Sequence, residues 1–256
     1  MAHRGESGNV PENTMLALEA AVKIGVDVLE SDIRLTKDDI PILFHDEDLK
    51  RITGESEEVR KKTLDELLQL DLGHNFSTDG GQTYPFRGRG FKVVTLEEAI
   101  DRFQDTILNL DIKDMFSEAP EKIAQVLREN HRTDKIMIAS FHPSQLKKFR
   151  EKAPMIPTSA HPNEIRNFVA GVMMRSMRFF VRSVAYRAFQ VPEWSGSLQI
   201  VTPRFVAEAH KRNIAVHVWT INNREDMERL LDMEVNGIFT DHPAILREVL
   251  VERGYI

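Results

Sequence analysis

The sequence predicts an α/β fold, a (β/α)8 TIM barrel with a small insertion after the hairpin of its second strand. Short β-branched runs alternate with amphipathic helical stretches, which is typical of repeated βα units around a parallel sheet. About eight such units can be counted when the first residues are taken as a strand, which fits a barrel better than an open doubly wound sheet. No Gly-x-Gly-x-x-Gly turn follows any strand, so the sequence gives no support for a dinucleotide site.

The predicted strands are the β-branched runs between the helical stretches. In chain order they are Val26–Ile33, Ile40–Phe44, Thr106–Ile112, Lys135–Ser140, Met155–Ser159, Leu198–Val201, Ala215–Ile221 and Gly237–Thr240. The turn-like Lys37–Asp39 separates the first two runs, so we interpret Ile40–Phe44 as an extra hairpin strand. The other runs, with the first residues of the chain, supply the strands of the barrel.

Helix starts are marked by capping residues. Thr63 and Thr95 are each followed three residues later by a glutamate, which is the spacing of a capping box. Thr202 precedes a proline, and proline favours the first position of a helix. Residues 46–94 break the alternation with charged and glycine-rich sequence. We interpret them as an insertion that carries one short helix, Leu64–Leu70.

The composition excludes several classes of protein. The chain has 256 residues, a net charge of −6 and no long basic run, which argues against nucleic-acid binding. Cysteine is absent, so disulfides and thiolate metal sites are excluded. No apolar run is long enough to predict a membrane-spanning helix. The length suits one barrel domain, residues 1–256.

The start of the chain bears on the compartment. It lacks the basic and apolar parts of a signal peptide. The polar residues His3 and Arg4 come at once, with almost no room for a strand before them. We therefore expect that a natural N-terminal segment precedes residue 1. Because such a segment could be a signal or an anchor, cytoplasmic and membrane-associated locations both stay open.

Acidic side chains gather where two predicted strands end. Glu30 and Asp32 are two residues apart, so they project to the same side of a strand. Two such carboxylates repel each other unless a cation or a proton lies between them. Asp111, on the next barrel strand, would complete an all-oxygen site suited to one divalent cation, Mg²⁺ or Ca²⁺. The alternative is that these acids are solvent-facing strand ends that pair with arginines.

His3 and His45 stand at the ends of the first strand and the hairpin strand. Imidazole titrates near neutral pH, so these two side chains are candidates for a general acid and a general base. Taken singly, each fits an ordinary structural histidine as well. The other seven histidines gain nothing from their positions. His217 alternates with a strand and could line the barrel, although a packed position in the core is favoured.

The motifs together resemble the glycerophosphodiester phosphodiesterase family. The first four are His3-Arg4-Gly5, Pro11–Thr14, Glu30–Asp32 and His45-Asp46, and they are specific only in combination. The similarity continues through Leu110–Lys113, Ser140-Phe141, Trp219–Asn222 and Gly237–Asp241. It therefore covers nearly the whole chain in the family's order.

The resemblance implies a barrel with a small insertion after the hairpin strand. It also implies that Glu30, Asp32 and Asp111 bind the divalent cation, and that His3 and His45 are the acid–base pair. Arg4 and Lys113 would then contact the phosphate, and Trp219 would form a wall of the substrate pocket.

One position departs from the family pattern. Most members have glutamate where this chain has Asp111, and the shorter side chain would draw the cation toward its strand or require a bridging water. A branch that resembles lysophospholipase D also has aspartate there, within Asn-Leu-Asp-Ile-Lys. The segment Gly80–Gly88 is similar to that branch too.

Residues 168–189 bear on the size of the substrate. Arg175, Arg178 and Arg182 fall at helical spacing on one stripe, and apolar residues crowd elsewhere. This pattern is typical of an interfacial helix, which would provide an acyl-chain entrance or a peripheral membrane contact at the active end. An ordinary lid helix with its apolar face on the barrel fits equally well.

Three functions stay open. The favoured one is a hydrolase that cleaves glycerophosphodiesters to glycerol phosphate and an alcohol, or lysophospholipids to lysophosphatidic acid. The second is a lyase-like enzyme that stops at a cyclic phosphate. The third is a silent barrel that only binds, which the intact His3, Glu30, Asp32 and His45 argue against.

Overall fold

Strands and helices alternate along the chain, and the computed structural model describes residues 1–181 and 184–256. The strands are β1 Ala2–His3, β2 Val28–Leu35, β3 Pro41–Leu43, β4 Ile107–Ile112, β5 Ile136–Ala139, β6 Ala188–Pro192, β7 Trp194–Ser195, β8 Leu198–Gln199, β9 Ala215–Trp219 and β10 Gly237–Ile238. The helices are α1 Met15–Ile24, α2 Lys50–Thr53, α3 Leu64–Leu67, α4 Leu96–Arg102, α5 Ala119–Glu129, α6 Pro143–Lys152, α7 Pro162–Met173, α8 Met177–Phe180, α9 Pro203–His210, α10 Arg224–Asp232 and α11 Pro243–Glu252, with a 3-10 turn at Val59–Lys61.

The parallel strands close into a barrel. One sheet has the order β1-β2-β4-β5, and a second has the order β10-β9-β6. Parallel bridges of Thr158 with Ile138 and of Ser159 with Ala188 join the two sheets on one side. On the other side Ala2 bridges Thr240 and completes the ring. The TIM barrel predicted from the sequence is thus confirmed.

The hairpin follows the prediction, whereas the insertion holds two short helices and a 3-10 turn instead of the one predicted helix, Leu64–Leu70. β3 pairs with β2 in antiparallel register, outside the ring. Between β3 and α4 the chain forms α2, the 3-10 turn and α3. Buried apolar side chains hold this segment against β3: Ile42, Phe44, Leu49, Val59, Leu67, Leu72 and Val93. Both predicted capping boxes are present, at Thr63 and at Thr95. That the whole chain is one domain stays a prediction.

The prediction for the sixth barrel strand was wrong. Leu198–Val201 does not enter the ring, because β8 forms a small antiparallel hairpin with β7. The ring strand is β6, which lies at the end of the stretch 168–189 that was read as helical. Phe189 and Val191 are buried there, at 0% and 1% exposure. Arginines and aromatic residues before β6 hid this two-residue alternation in the sequence.

The segment 168–189 therefore divides into α7, α8 and the first residues of β6. Arg182 lies outside the described residues. Ile165, in the first turns of α7, lines the cavity described below. Phe168 already packs against Phe189 at the beginning of β6 and lies 6.0 Å below the guanidinium of Arg212, which follows α9. The chain thus runs away from the carboxyl ends of the strands, unlike the predicted position at the active end.

Candidate active site

A cavity of about 220 Å³ opens at the carboxyl ends of the barrel strands. One side is polar and charged, with His3, Arg4, Glu30, Asp32, His45, Asp111 and Lys113. The opposite side is largely apolar, with Ala139, Phe141, Ala160, Pro162, Ile165, Trp219 and Phe239. All eight site residues predicted from the sequence line this one cavity. Such a division suits a ligand with a charged centre and a less polar part.

Strand register brings the three carboxylates together. β1 places His3 beside Glu30, and β4 places Asp111 beside Asp32. Glu30 and Asp32 alternate with the strand and share its inner face. All three acidic side chains are buried, at 6% exposure or less. Such burial of three acids requires positive charge nearby.

Two basic side chains supply part of that charge. Lys113 Nζ lies 3.0 Å from Asp32 Oδ1 and 2.7 Å from Asp111 Oδ2. Arg4 Nε lies 3.1 Å from Asp32 Oδ2, and the Arg4 backbone N–H donates to Glu30 Oε2 at 3.0 Å. Burial opposes ionisation of Asp32, but Lys113 and Arg4 outweigh it and lower the pKa of Asp32.

The other two carboxylates are less well compensated. Burial, followed by the charge of Asp32, raises the pKa of Glu30 to about 7. Burial, with the charge of Asp32, also raises the pKa of Asp111 in spite of the contact with Lys113. Burial and the charge of Asp32 thus both oppose ionisation of Glu30 and Asp111.

His3 is held by Asp241, which follows β10. The His3 Nδ1 lies 2.7 Å from Asp241 Oδ1, and Asn222 Nδ2 donates to Asp241 Oδ2 at 2.7 Å. Burial disfavours the charged imidazole, but the hydrogen bond with Asp241 and the charge of Glu30 outweigh it and raise the pKa of His3. Because a carboxylate only accepts hydrogen bonds, Nδ1 carries the hydrogen and Nε2 faces Glu30, 4.0 Å away.

His45 has the same arrangement with its neighbour in the chain. The His45 Nδ1 lies 2.7 Å from Asp46 Oδ1. Burial and the nearby charge of Arg4 lower the pKa of His45, which favours the neutral imidazole. Arg34 Nε donates to the His45 carbonyl at 2.9 Å and thereby fixes the backbone at the end of β3. Each histidine is thus oriented through Nδ1 by one aspartate.

The three carboxylates can be tested for a divalent cation. Among the residues that the structure describes, no group of three or more His, Asp or Glu is arranged as a ready metal cluster. The ammonium of Lys113 stands between Asp32 and Asp111. The donors nevertheless fit, since carboxylate oxygens suit Mg²⁺ and Ca²⁺, and Asp111 Oδ1 is buried without a hydrogen-bond partner. A buried carboxylate oxygen without a partner, beside two further buried carboxylates, fits a ligand of a divalent cation.

Aromatic side chains form the apolar wall. Trp219, predicted to wall the pocket, ends β9 and contacts Phe141 edge-on, with ring centroids 5.7 Å apart. Phe141 is 53% exposed, and its ring lies 5.4 Å from Lys113 Nζ. This wall stands beside the phosphate-binding candidates and gives the cavity room for an apolar group.

Sequence reasoning missed the side chains that support this site. Asp46 and Asp241 were part of recognised motifs but received no role. Glu12, in the Pro11–Thr14 motif, accepts a hydrogen bond from Arg4 Nη1 at 2.9 Å. Arg51 in α2 contacts both Glu12 and Asp46. The only signal in the sequence was that acidic residues recur inside the motifs.

The chain is similar to known proteins over nearly its whole length. The profile of the glycerophosphoryl diester phosphodiesterase family matches residues 3–245. A glycerophosphodiester phosphodiesterase of Caldanaerobacter subterraneus subsp. tengcongensis is 30% identical, over 99% of this chain and 98% of that protein. A human lysophospholipase D is 26% identical, over 98% of this chain and 85% of that protein.

A solved structure agrees with these relatives. The crystal structure of a protein from Silicibacter pomeroyi, named a putative glycerophosphoryl diester phosphodiesterase, superposes with a TM-score of 0.81. That protein is 26% identical, over 99% of this chain and 92% of the other. The sequence relative from Caldanaerobacter and the solved structure thus bear the same kind of enzyme name.

Proposed function

Because the chain belongs to the glycerophosphoryl diester phosphodiesterase family, we propose that its cavity hydrolyses glycerophosphodiesters to glycerol phosphate and an alcohol. The observation that carries this proposal is the pairing of two aspartate-oriented histidines with three buried carboxylates in one cavity. That constellation provides proton transfer and charge neutralisation, the two requirements of phosphodiester cleavage.

The histidines serve as the acid–base pair. One imidazole takes the proton from the attacking water or substrate hydroxyl, and the other gives a proton to the leaving alcohol oxygen. His3 and His45 each have Nδ1 occupied by an aspartate, so Nε2 is the atom that exchanges the proton. The P–O bond to the nucleophile forms as the P–O bond to the alcohol breaks.

Glu30, Asp32 and Asp111 would hold one divalent cation, Mg²⁺ or Ca²⁺. When bound, the cation would neutralise charge on the non-bridging phosphate oxygens. Lys113 would then release at least one carboxylate, and its ammonium would be free to contact the phosphate beside Arg4. The burial of the three carboxylates in one cavity, with Asp111 Oδ1 left without a hydrogen-bond partner, supports this proposal.

Lysophospholipids are the second candidate substrates. The apolar wall of Phe141, Ile165 and Trp219 favours them, since it offers a surface for the beginning of an acyl chain. The similarity to a human lysophospholipase D agrees with this alternative. The small deacylated diester stays the first candidate, because the more similar relatives are named for it.

The substrate test uses glycerophosphocholine and lysophosphatidylcholine with added Mg²⁺ or Ca²⁺. We expect choline release from the short diester and a linear glycerol phosphate in the ³¹P NMR spectrum. Preferential release from the acylated substrate would favour the lysophospholipase D alternative. A cyclic phosphate as the final product, or silence on both substrates, would contradict the proposal.

A peripheral membrane contact is proposed for the end of α7 and for α8. Met173, Met174 and Phe179 are each more than 60% exposed there, beside Arg175 and Arg178. Among the described residues, no acidic side chain forms an ion pair with these two arginines. Exposed apolar groups between cations suit an anionic lipid surface. Since this surface lies away from the cavity, it would tether the enzyme rather than admit an acyl chain.

Vesicle flotation tests the membrane contact. We expect binding to vesicles that contain phosphatidylglycerol, weaker binding to pure phosphatidylcholine, and loss of binding in the double variant Arg175→Glu/Arg178→Glu. Matched substitution of Lys147 and Lys148 on α6 is the control for a general loss of positive charge. Equal loss in the control, or no binding by the unmodified protein, would contradict the contact.

A further inference from the structure

We propose that Arg51, in the insertion, is a positioning residue that holds His45 and Arg4 in their working orientations at the same time. This inference rests on the proposed function of the cavity. Arg51 does not line the cavity. It acts through the carboxylates of Asp46 and Glu12. Asp46 contacts His45 and Glu12 contacts Arg4, and both of these residues line the cavity.

The first arm runs to the histidine. Arg51 Nε donates to Asp46 Oδ2 at 2.6 Å, and the other oxygen of that carboxylate accepts from His45 Nδ1 at 2.7 Å. Asp46 is thus bonded through both of its oxygens and cannot rotate away from the ring without losing one contact. A carboxylate fixed in this way determines which ring nitrogen of His45 carries the hydrogen.

The second arm runs to the phosphate-binding candidate. Arg51 Nη1 and Nη2 donate to the two oxygens of Glu12, each at 2.7 Å. Glu12 Oε1 also accepts from Arg4 Nη1 at 2.9 Å. Because Arg51 shares the negative charge of Glu12, it weakens the pull of Glu12 on Arg4. The positive charge of the Arg4 guanidinium is then only partly neutralised by Glu12 and can attract a phosphate.

Exposure argues that orientation, and not stability, is the main effect of Arg51. Its side chain is 49% exposed, and solvent screens an ion pair at such a site. The geometry is nevertheless specific. One planar guanidinium uses its fork on Glu12 and its remaining Nε–H on Asp46, an arrangement that the single ammonium of a lysine cannot reproduce.

The kinetic test compares Arg51→Ala and Arg51→Lys with a matched control. Arg102 is an exposed arginine that pairs with Glu19 on the outer helices, so Arg102→Ala removes a similar ion pair far from the cavity. We expect Arg51→Ala to lower kcat and raise KM, with kcat/KM falling about 10- to 100-fold, as for residues that support metal or catalytic ligands. Arg51→Lys should be intermediate, and Arg102→Ala should be unchanged.

A double-mutant cycle shows whether the effect passes through the two carboxylates. In the Asp46→Asn/Glu12→Gln background, we expect Arg51→Ala to change kcat/KM by less than about threefold, because the contacts it supports are already gone. Urea unfolding controls for folding and should give similar midpoints for Arg51→Ala and Arg102→Ala. If Arg51→Ala lowered kcat/KM by the same factor in both backgrounds, the inference would be overturned.

A second readout needs no turnover. ¹⁵N NMR of the neutral His45 ring reports which nitrogen carries the hydrogen. We expect the Nδ1–H form in the unmodified enzyme and a mixture of both tautomers in Arg51→Ala. An unchanged tautomer would overturn the inference. If the unmodified enzyme cleaved no diester but Arg51→Ala still shifted the tautomer, the proposed substrate would be wrong and the positioning role would stand.

Discussion

Each histidine in the cavity is bonded through Nδ1 to an aspartate, and the two aspartates come from different parts of the barrel. Asp46 is adjacent to His45 in the sequence, whereas Asp241 lies near the C-terminus and His3 near the N-terminus of the chain. The motifs therefore predicted both histidines. They did not predict the pairing with Asp241, since that contact exists only because β10 closes the barrel against β1.

Replacing Asp241 by asparagine should reverse the tautomer of His3. An amide can donate to Nδ1, which then needs no hydrogen of its own, so Nε2 would carry the hydrogen instead. We expect kcat to fall on the order of 10²-fold or more, by analogy with the same change in catalytic triads. Steady-state kinetics measure this, with Asp105→Asn on the exposed surface as control. Unchanged kcat in Asp241→Asn would refute the orienting role.

Two substitutions separate proton transfer from cation binding. His45→Ala should remove turnover and leave the affinity for the cation near normal, because the imidazole is not among the proposed ligands. Asp32→Ala should weaken both, since Asp32 is a proposed ligand. Isothermal titration calorimetry with Mg²⁺ or Ca²⁺, beside a turnover assay, distinguishes the two variants. Retained turnover in His45→Ala would contradict the acid–base assignment.

At the scale of elements, the strands that carry acidic motifs were easier to predict than β6. β2 and β4 are mostly buried, and isoleucine or leucine residues flank their functional acids. β6 has two bulky apolar side chains separated by Gln190, directly after an arginine-rich stretch. Because Arg175, Arg178 and Arg182 have helical spacing, the predicted helix ran on into the first residues of β6. Local periodicity could not detect a strand that only its neighbours in the ring stabilise.

Phe189 tests the corrected assignment of β6. Its ring packs against Phe168, Tyr186 and Phe205, at centroid distances of 4.4, 5.1 and 5.1 Å. Truncating it leaves a cavity, so we expect Phe189→Ala to lower the free energy of unfolding by about 3–5 kcal/mol in urea titrations. Phe179→Ala, in the exposed part of α8, should cost less than about 0.5 kcal/mol. Similar losses in both variants would contradict the assignment.

At the scale of the whole molecule, the closed ring gathers residues from both ends of the sequence into one cavity. The sequence predicted the ring strands other than β6, and the closure itself depends on contacts of Ala2 with Thr240 that no local pattern encodes. Among the described residues, no helix has the length and apolar character needed to cross a membrane.

The inside of the barrel also carries a pH-sensitive group. His217 lies on β9 beside a second cavity at the opposite end of the barrel, and its Nδ1 has no hydrogen-bond partner. Burial lowers the pKa of His217 to about 4. The unfolded chain binds a proton near pH 6.5 and the folded chain only near pH 4. The contribution of the neutral His217 side chain to the free energy of unfolding is therefore fully present above pH 6.5. It is lost as the pH falls toward 4.

Replacing His217 by glutamine should remove this loss. We expect the free energy of unfolding of the unmodified protein to fall by up to about 3 kcal/mol more than that of His217→Gln between pH 6.5 and pH 4. Urea unfolding at several pH values gives the slope of the free energy of unfolding against pH for each protein. The difference between the two slopes does not depend on the absolute stability of the variant. Parallel slopes would contradict the burial of a neutral imidazole.

The most direct test of the central claim is turnover of glycerophosphocholine by the chelated enzyme, followed by addition of Mg²⁺ or Ca²⁺. We expect chelation to abolish choline release and one equivalent of cation to restore it, with no restoration in Asp32→Ala. That result would assign catalysis to a cation held among Glu30, Asp32 and Asp111. Full turnover after chelation, or equal restoration in Asp32→Ala, would contradict the cation-dependent site.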